Sequence, residues 1–130
     1  EQLLMDLSLN IRAMVSQRLI PREKAEGRIA AMEIMLGTPL ISDLIFRGEV
    51  AKIKEVMARS NRLGMKTFDQ ALFDLYESQY ISYEEALRNA DSKNELRLRI
   101  KLESKREDRL QAESSSTLRI VDESNEGTTY

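Results

Sequence analysis

Any catalysis by this chain would have to rest on Asp, Glu, Lys, Ser, Thr or Tyr, because its 130 residues include no His and no Cys. The missing His removes the commonest general base and the commonest transition-metal ligand. The missing Cys removes nucleophilic thiols, thiolate metal sites and any disulfide framework, and fits a reducing cytoplasm. Neither a Ser/His/Asp nor a Cys/His arrangement is possible. Asp69 and Asp74, or Glu84 and Glu85, offer paired carboxylates for a hard cation. The alternating oxygen-ligand loop such a site needs is absent, so these acids read as solvated helix residues. Gly27, Gly37, Gly48 and Gly64 are isolated, which reads as punctuation at turns and helix ends and not as a phosphate-cradling loop. No residue is therefore assigned as catalytic, cofactor-binding or metal-ligating.

Charge and hydropathy narrow the partners. The formal net charge is −2 and the pI about 5.4, whereas a polyanion-binding domain is usually strongly basic. Residues 67–90 resemble a helix-turn-helix in outline, but the second helix carries Glu84 and Glu85 beside Arg88, the wrong charge for a recognition helix. Nucleic acid is thus not expected as a partner. No apolar run reaches the roughly 18–20 residues that span a bilayer, and Glu1-Gln2 is no basic leader.

The elements follow from periodicity and caps. Residues 1–16 read as an amphipathic helix with Leu4, Leu7, Ile11 and Met14 on one stripe. It opens with no capping residue and the chain has no initiator Met, so an upstream part is expected to be missing. Gln17 to Pro21 reads as extended, residues 22–27 as a polar turn, and residues 28–36 as a strand apolar on both faces apart from Glu33. Two antiparallel strands are marginal in water, so exposed edges and self-association are expected there.

From residue 37 the reading is helical. Thr38-Pro39 is an N-cap with Pro at the first helical position. Leu40, Ile41, Leu44 and Ile45 form the expected buried stripe, and Gly48 ends the helix. A second helix is expected from about Glu49 to Leu63, with Val50, Ile53, Val56, Met57 and Leu63 inward, and Gly64 as its stop. Three capping boxes follow, Thr67/Gln70, Ser82/Glu85 and Ser92/Glu95. The first opens a helix burying Phe68, Ala71, Leu72, Leu75 and Tyr76. The second opens one burying Ala86, Leu87 and Ala90. Residues 96–102 alternate Leu or Ile with Arg or Lys, a strand period, yet follow a box, and helix is favoured for their first turns. Residues 103–130 read as a polar, flexible tail. Residues 117–122 carry a weak strand pattern that would pair with 96–102.

Two segments carry a family resemblance. One is Ser16-Gln17-Arg18-Leu19-Ile20-Pro21, followed by Gly27-Arg28-Ile29-Ala30-Ala31-Met32-Glu33-Ile34-Met35-Leu36-Gly37-Thr38-Pro39. The other is Leu63-Gly64-Met65-Lys66-Thr67-Phe68-Asp69-Gln70-Ala71-Leu72, continuing through Ile81-Ser82-Tyr83-Glu84-Glu85-Ala86-Leu87. Over about residues 1–102 the chain resembles the C-terminal region of the PilT/PilU pilus-retraction ATPases. The resemblance implies a mainly α fold in three parts. Residues 1–36 would be the last helix and strand hairpin at the edge of a RecA-like α/β ATPase core. Residues 37–102 would be a C-terminal helical bundle, and 103–130 the tail. The family's Walker and His-containing boxes would lie upstream, so ATP and Mg would bind the parent protein and not this chain.

The resemblance also marks one helix. PilT proteins carry Ala-Ile-Arg-Asn-Leu-Ile-Arg-Glu at the start of the bundle, a motif needed for retraction. Here the matching residues are Leu40, Ile41, Ser42, Asp43, Leu44, Ile45, Phe46 and Arg47. The apolar stripe is kept. Ser42 and Phe46 replace the two Arg, and Arg47 replaces the Glu. With the run of residues 69–76 and the long tail, these departures look more like the PilU branch. Gln79 stands where the family usually has Gly, and a non-Gly residue there is expected to resist a left-handed helix end.

The implied function is that of a part of a hexameric motor powering type IV pilus retraction and twitching motility, cytoplasmic and peripheral to the inner-membrane pilus machinery. Its partners would be neighbouring subunits of a homo-hexamer, a PilT-like ATPase and the inner-membrane platform protein at the pilus base. Two other readings stand beside it: a stand-alone helical adaptor between proteins, and part of a pilus-extension or type II secretion ATPase.

Overall fold

The computed structural model describes residues 1–106. They form, in chain order, α1 (Gln2–Asn10), β1 (Ala13–Pro21), β2 (Arg28–Leu36), α2 (Pro39–Arg47), α3 (Val50–Arg59), a 3-10 turn (Asn61–Leu63), α4 (Phe68–Glu77), α5 (Tyr83–Asn89) and α6 (Lys93–Glu103). The fold is mainly helical with one two-stranded sheet.

β1 and β2 are antiparallel over nine residues each, from Ala13 opposite Leu36 to Pro21 opposite Arg28. Side chains alternate across the sheet. Ile20, Ala31 and Met35 on one face are buried, while Val15, Leu19 and Met32 on the other are exposed. β2 gains a short second neighbour, because Ile34 and Lys66 exchange both backbone hydrogen bonds, at 2.8 and 2.9 Å. Among the described residues β1 has no neighbour but β2. An unpaired edge beside exposed Val15 and Leu19 is a template for pairing with another chain. These 130 residues alone should therefore self-associate, read as a concentration-dependent rise in weight-average mass in sedimentation. A clean monomer protected from hydrogen exchange along β1 would refute this.

The inner face of the hairpin belongs to two cores. Ile20 and Ala31 join Phe68, Leu72, Tyr76, Ile81, Leu96 and Ile100 from α4 to α6. Met35 joins Ile41, Ile45, Met57 and Met65 around α2 and α3. Hairpin and bundle thus share their buried side chains, though residue 36 divides them in chain order.

Three helices begin where their local residues dictate, and α2 also ends so. Thr38 accepts the Ile41 N–H at 3.3 Å ahead of Pro39, and Gly48 closes α2 in the left-handed conformation at φ 69°. Thr67 and Gln70 form both halves of a capping box at the start of α4. Ser82 accepts the Glu85 N–H at 3.2 Å to start α5, but the Glu85 carboxylate is turned to Arg88 at 2.8 Å, so this box is half made.

Other expectations are corrected. α1 stops at Asn10 and does not reach residue 16. Ile11 is extended (φ −67°, ψ 129°), and Ala13 to Ser16 are drawn into the ladder opposite residues 33–36. The helical stripe persists as a place: Leu4, Leu7, Ile11 and Met14 line one groove of ≈ 290 Å³ between α1, the hairpin, α2 and α3. α3 ends at Arg59, and Val50 and Leu63, expected inward, are exposed. Leu40 is exposed too. Phe73 is buried although it lies off the expected α4 face.

Ser92 makes no side-chain cap for α6. The Asp69 carboxylate accepts the Asp91 and Ser92 N–H groups instead, at 2.8 and 3.0 Å. Residues 96–102 are helical throughout. Leu96 and Ile100, four apart, are buried, while Leu98 and Leu102 are exposed. The tail was expected to start at residue 103, but Glu103 ends α6 and Arg106 is buried. The strand expected at 117–122 lies outside the described residues.

Gln79 does take up a left-handed conformation, at φ 62°, and is the one non-glycine among the described residues to do so. Its turn is held from several sides. The Gln79 N–H donates to Tyr76 O at 3.0 Å, the Tyr80 N–H to Leu75 O at 3.0 Å, and the Glu23 N–H to Tyr80 O at 2.9 Å. Lys24 Nζ donates to Gln79 Oε1 at 2.6 Å. Such over-determination is what lets a strained residue persist. Gln79→Gly should raise stability by about 0.5–1 kcal/mol by relieving the β-carbon clash, seen as a higher melting temperature. A lower one would mean that the Lys24 contact outweighs the strain.

Candidate functional site

Two arrangements stand out, the outer surface of α2 and a polar junction that fixes the hairpin to the bundle. In α2, Ile41, Leu44 and Ile45 point inward. Leu40, Asp43, Phe46 and Arg47 are exposed, Leu40 at 52 % and Phe46 at 57 %, and Ser42 is half-buried. Helical spacing puts Leu40, Asp43 and Arg47 on one side and Ser42 and Phe46 on another. Phe46 borders the first turn of α1, sharing a surface hollow with Gln2, Leu4 and Met5. The eight residues singled out from the sequence therefore divide into three that anchor the helix and five that meet, or partly meet, solvent.

The charges on this surface are paired. Arg47 bridges Asp43 one turn back and Glu49 at 3.6 Å, and Glu49 takes Lys52 at 2.6 Å. The Arg47 hydrogen bond lowers the Asp43 carboxyl and the same bond raises the Arg47 guanidinium. The Lys52 hydrogen bond, with the charges of Lys52 and Arg47, lowers Glu49 against the effect of burial. The surface of α2 thus presents an exposed aromatic ring, Phe46, beside a self-neutralised ion-pair chain.

The junction forms around Phe68, the first residue of α4. Glu33 of β2 accepts the Phe68 N–H at 3.1 Å, placing an anion at the helix N-terminus, and pairs with Lys54 of α3. Arg18 of β1 lies 4.0 Å over the Phe68 ring and donates to Asp91 Oδ1 at 2.8 Å and to Asn89 O at 2.5 Å. Lys54 reaches Asp91 at 3.4 Å. Both strands, α3, α4 and the α5–α6 connection thus meet in one charge network. One hint of it was legible, Glu33 as the one acid in an otherwise apolar stretch of β2. The contacts of the junction join residues 21 to 73 apart in the chain, which no local pattern reports.

Asp91 is the titration probe of this junction. Partial burial pushes its carboxyl up. The hydrogen bond and charge of Arg18, with Lys54, outweigh that and hold it below the ordinary Asp value. A depressed carboxyl stabilises the fold above its unfolded value, about 3.9, and that stabilisation is lost as pH falls through the lower folded value. An NMR titration should therefore find Asp91 protonating below a peptide Asp, and Arg18→Gln should move it upward. The pair is partly exposed, so Asp91→Asn should cost less than about 1 kcal/mol. An Asp91 carboxyl that titrates at or above the peptide value would contradict the network.

Among the described residues no three Asp, Glu, His or Cys side chains converge to hold a metal ion, and no helix is long and apolar enough to cross a membrane. The glycines lie at separate points of the chain. Among the described residues, neither a convergent acidic cluster nor a glycine-rich loop offers a place to hold ATP or Mg.

No protein-family model matches the chain. It is 54 % identical over 103 residues to the type IV pilus ATPase PilU of Pseudomonas aeruginosa, covering 79 % of this chain and 27 % of that protein. It is 39 % identical over 84 residues to the type IV pilus retraction ATPase PilT of the same organism, covering 65 % of this chain and 24 % of that one. Among solved structures, the pilus retraction motor PilT with bound ADP superposes with a TM-score of 0.64 at 27 % identity, over 75 % of this chain and 26 % of its own. The chain spans about a quarter of the length of the curated relatives it matches.

Proposed function

The chain belongs to the PilT/PilU family, and on that footing we propose that it is the part of a PilU-like motor ATPase that follows the nucleotide-binding motifs. The observation that carries this reading is the 54 % identity to PilU across 103 residues. The superposition on PilT supports it. In this reading residues 1–36 are the edge of the RecA-like core, residues 37–102 the helical bundle, and residues 103–130 a tail. The motor is a cytoplasmic homo-hexamer at the inner-membrane pilus base. It works with a PilT-like ATPase and the platform protein to retract the pilus. ATP and Mg belong to residues outside this chain.

The part played by these residues is mechanical. The hairpin carries the motion of the core. The junction of Arg18, Glu33, Lys54 and Asp91 on Phe68 locks the hairpin to α3 and α4, and α2 shares a core with Met35 of β2. Movement of the sheet therefore reaches α2 without slack. Its exposed residues, Leu40, Asp43, Phe46 and Arg47, with Ser42 at their edge, form the contact surface, and Phe46 offers an apolar contact where PilT offers a charge. The experiment is ATP turnover, measured for the intact protein and for these 130 residues alone, with pilus retraction measured in cells. Turnover and retraction by the intact protein, with none from the 130 residues, is the expected result. Robust turnover by the 130 residues would overturn the reading.

A further inference from the structure

Arg106 is the most enclosed charged side chain among the described ion pairs, 4 % exposed against 26 % for its partner Glu23. A guanidinium withdrawn from water is tolerated only when its donors are taken up. Here Nη1 donates to Tyr76 O at 2.8 Å and Ile81 O at 3.0 Å, and Nη2 donates to both Glu23 oxygens at 3.1 and 3.3 Å. The group also lies 4.4 Å over the Tyr76 ring. Two of these acceptors flank the strained turn at Gln79. Tyr76 O lies in the last turn of α4, where it also accepts the Gln79 N–H and where the helix dipole favours a cation. The third acceptor residue, Glu23, lies in the turn between β1 and β2.

The chain reaches this position deliberately. After α6, Ser104 turns extended. The Lys105 N–H then donates to Glu77 Oε2 at 3.2 Å, and the Arg106 N–H to Ser104 Oγ at 3.2 Å. Three residues thus cross the end of α4 and insert one side chain between the α4–α5 turn and the hairpin turn. Those two turns already touch, through Glu23 N–H on Tyr80 O and Lys24 on Gln79. Neither contact is enclosed in a core.

We propose that residues 104–106 are a latch, with the Arg106 guanidinium as its bolt, which holds the β1–β2 turn onto the α4–α5 turn. Withdrawing the bolt opens these two turns together and leaves the rest of the bundle folded. A pull or a binding partner acting on the chain that follows Arg106 is thereby read at the tip of the hairpin, at the opposite end of the sheet from the Ile34–Lys66 bridge. The latch concerns contacts within this chain and stands whether or not the motor reading holds.

The test is native-state hydrogen exchange on the whole 130-residue chain, wild type against Arg106→Gln and Glu23→Gln. The Glu23 and Tyr80 amides should exchange at least tenfold faster in both variants, while the Ile34 and Lys66 amides should stay within twofold. The double variant should be no faster than Arg106→Gln alone. Should Arg106→Gln fail to fold, Glu23→Gln carries the test, because it leaves both carbonyl bonds of Arg106 in place. Equal acceleration of all four amides would reduce Arg106 to a general stabiliser and overturn the latch. So would no acceleration at any of them.

Discussion

Ile41→Ala should lower the unfolding free energy by about 2–5 kcal/mol, whereas Phe46→Ala, in the same helix, should change it by no more than about 0.5 kcal/mol. Ile41 is fully buried and packs with Met35, Ile45, Met57 and Met65. Removing its side chain leaves a cavity on the seam between α2 and the hairpin. Phe46 faces solvent at 57 % exposure, and its loss opens no void. Urea melts of the two variants give the comparison through their midpoints at unchanged slope. The contrast matters because it separates holding α2 in place from what α2 presents. In the intact protein Phe46→Ala should impair retraction while the fold survives. Equal losses of stability in the two variants would remove α2 as a contact surface and make it another core helix.

Gly37→Ala is the second large effect expected, about 1–3 kcal/mol or more of destabilisation. A β-carbon at Gly37 would lie 2.3 Å from Ile11 O, 3.1 Å from Ile11 C and 3.2 Å from Arg12 O. All three are backbone atoms, so no side-chain rotation relieves the clash. The Gly37 N–H donates to Arg12 O at 2.8 Å, and the hairpin end closes through that contact. Moving the backbone apart would break this bond and the Ala13 to Leu36 pairing beside it. Faster amide exchange at Gly37 and weaker protection at the open end of the hairpin would locate the damage. A variant as stable as wild type would mean that the α1–β1 junction yields freely.

Sequence reading reached the features whose causes are local. Thr38, Pro39 and Gly48 bound α2 because a cap, a fixed φ and a left-handed stop act within a few residues. Thr67 and Gln70 do the same for α4. It misjudged places where two local rules coincide. Leu4, Leu7, Ile11 and Met14 satisfy a helical stripe, but Ala13 to Ser16 have a stronger claim as partners for the far end of β2, and tertiary pairing won. Leu40 has the hydropathy of a core residue and the position of a surface one. The candidate site was half visible. The eight residues of α2 could be marked, but which of them face outward depended on where α1 and α3 pack. Of the junction only Glu33 could be marked, and the latch could not be read at all, since Arg18, Asp91, Glu23 and Arg106 look like ordinary surface charges until chain folding makes them neighbours.

The spacing of those contacts bears on how the protein is made. Arg18 waits for a partner 73 residues downstream and Glu23 for one 83 downstream. At a ribosomal rate of roughly 5–20 residues per second, the hairpin emerges about 4–16 seconds before the residues that clasp it. During that interval its inner apolar face is covered only in stages, by α4 first and α6 last, and closing so long a loop carries an entropic penalty before any contact rewards it. The nascent hairpin is thus a stretch of this chain in need of protection until Asp91 and Arg106 have been made.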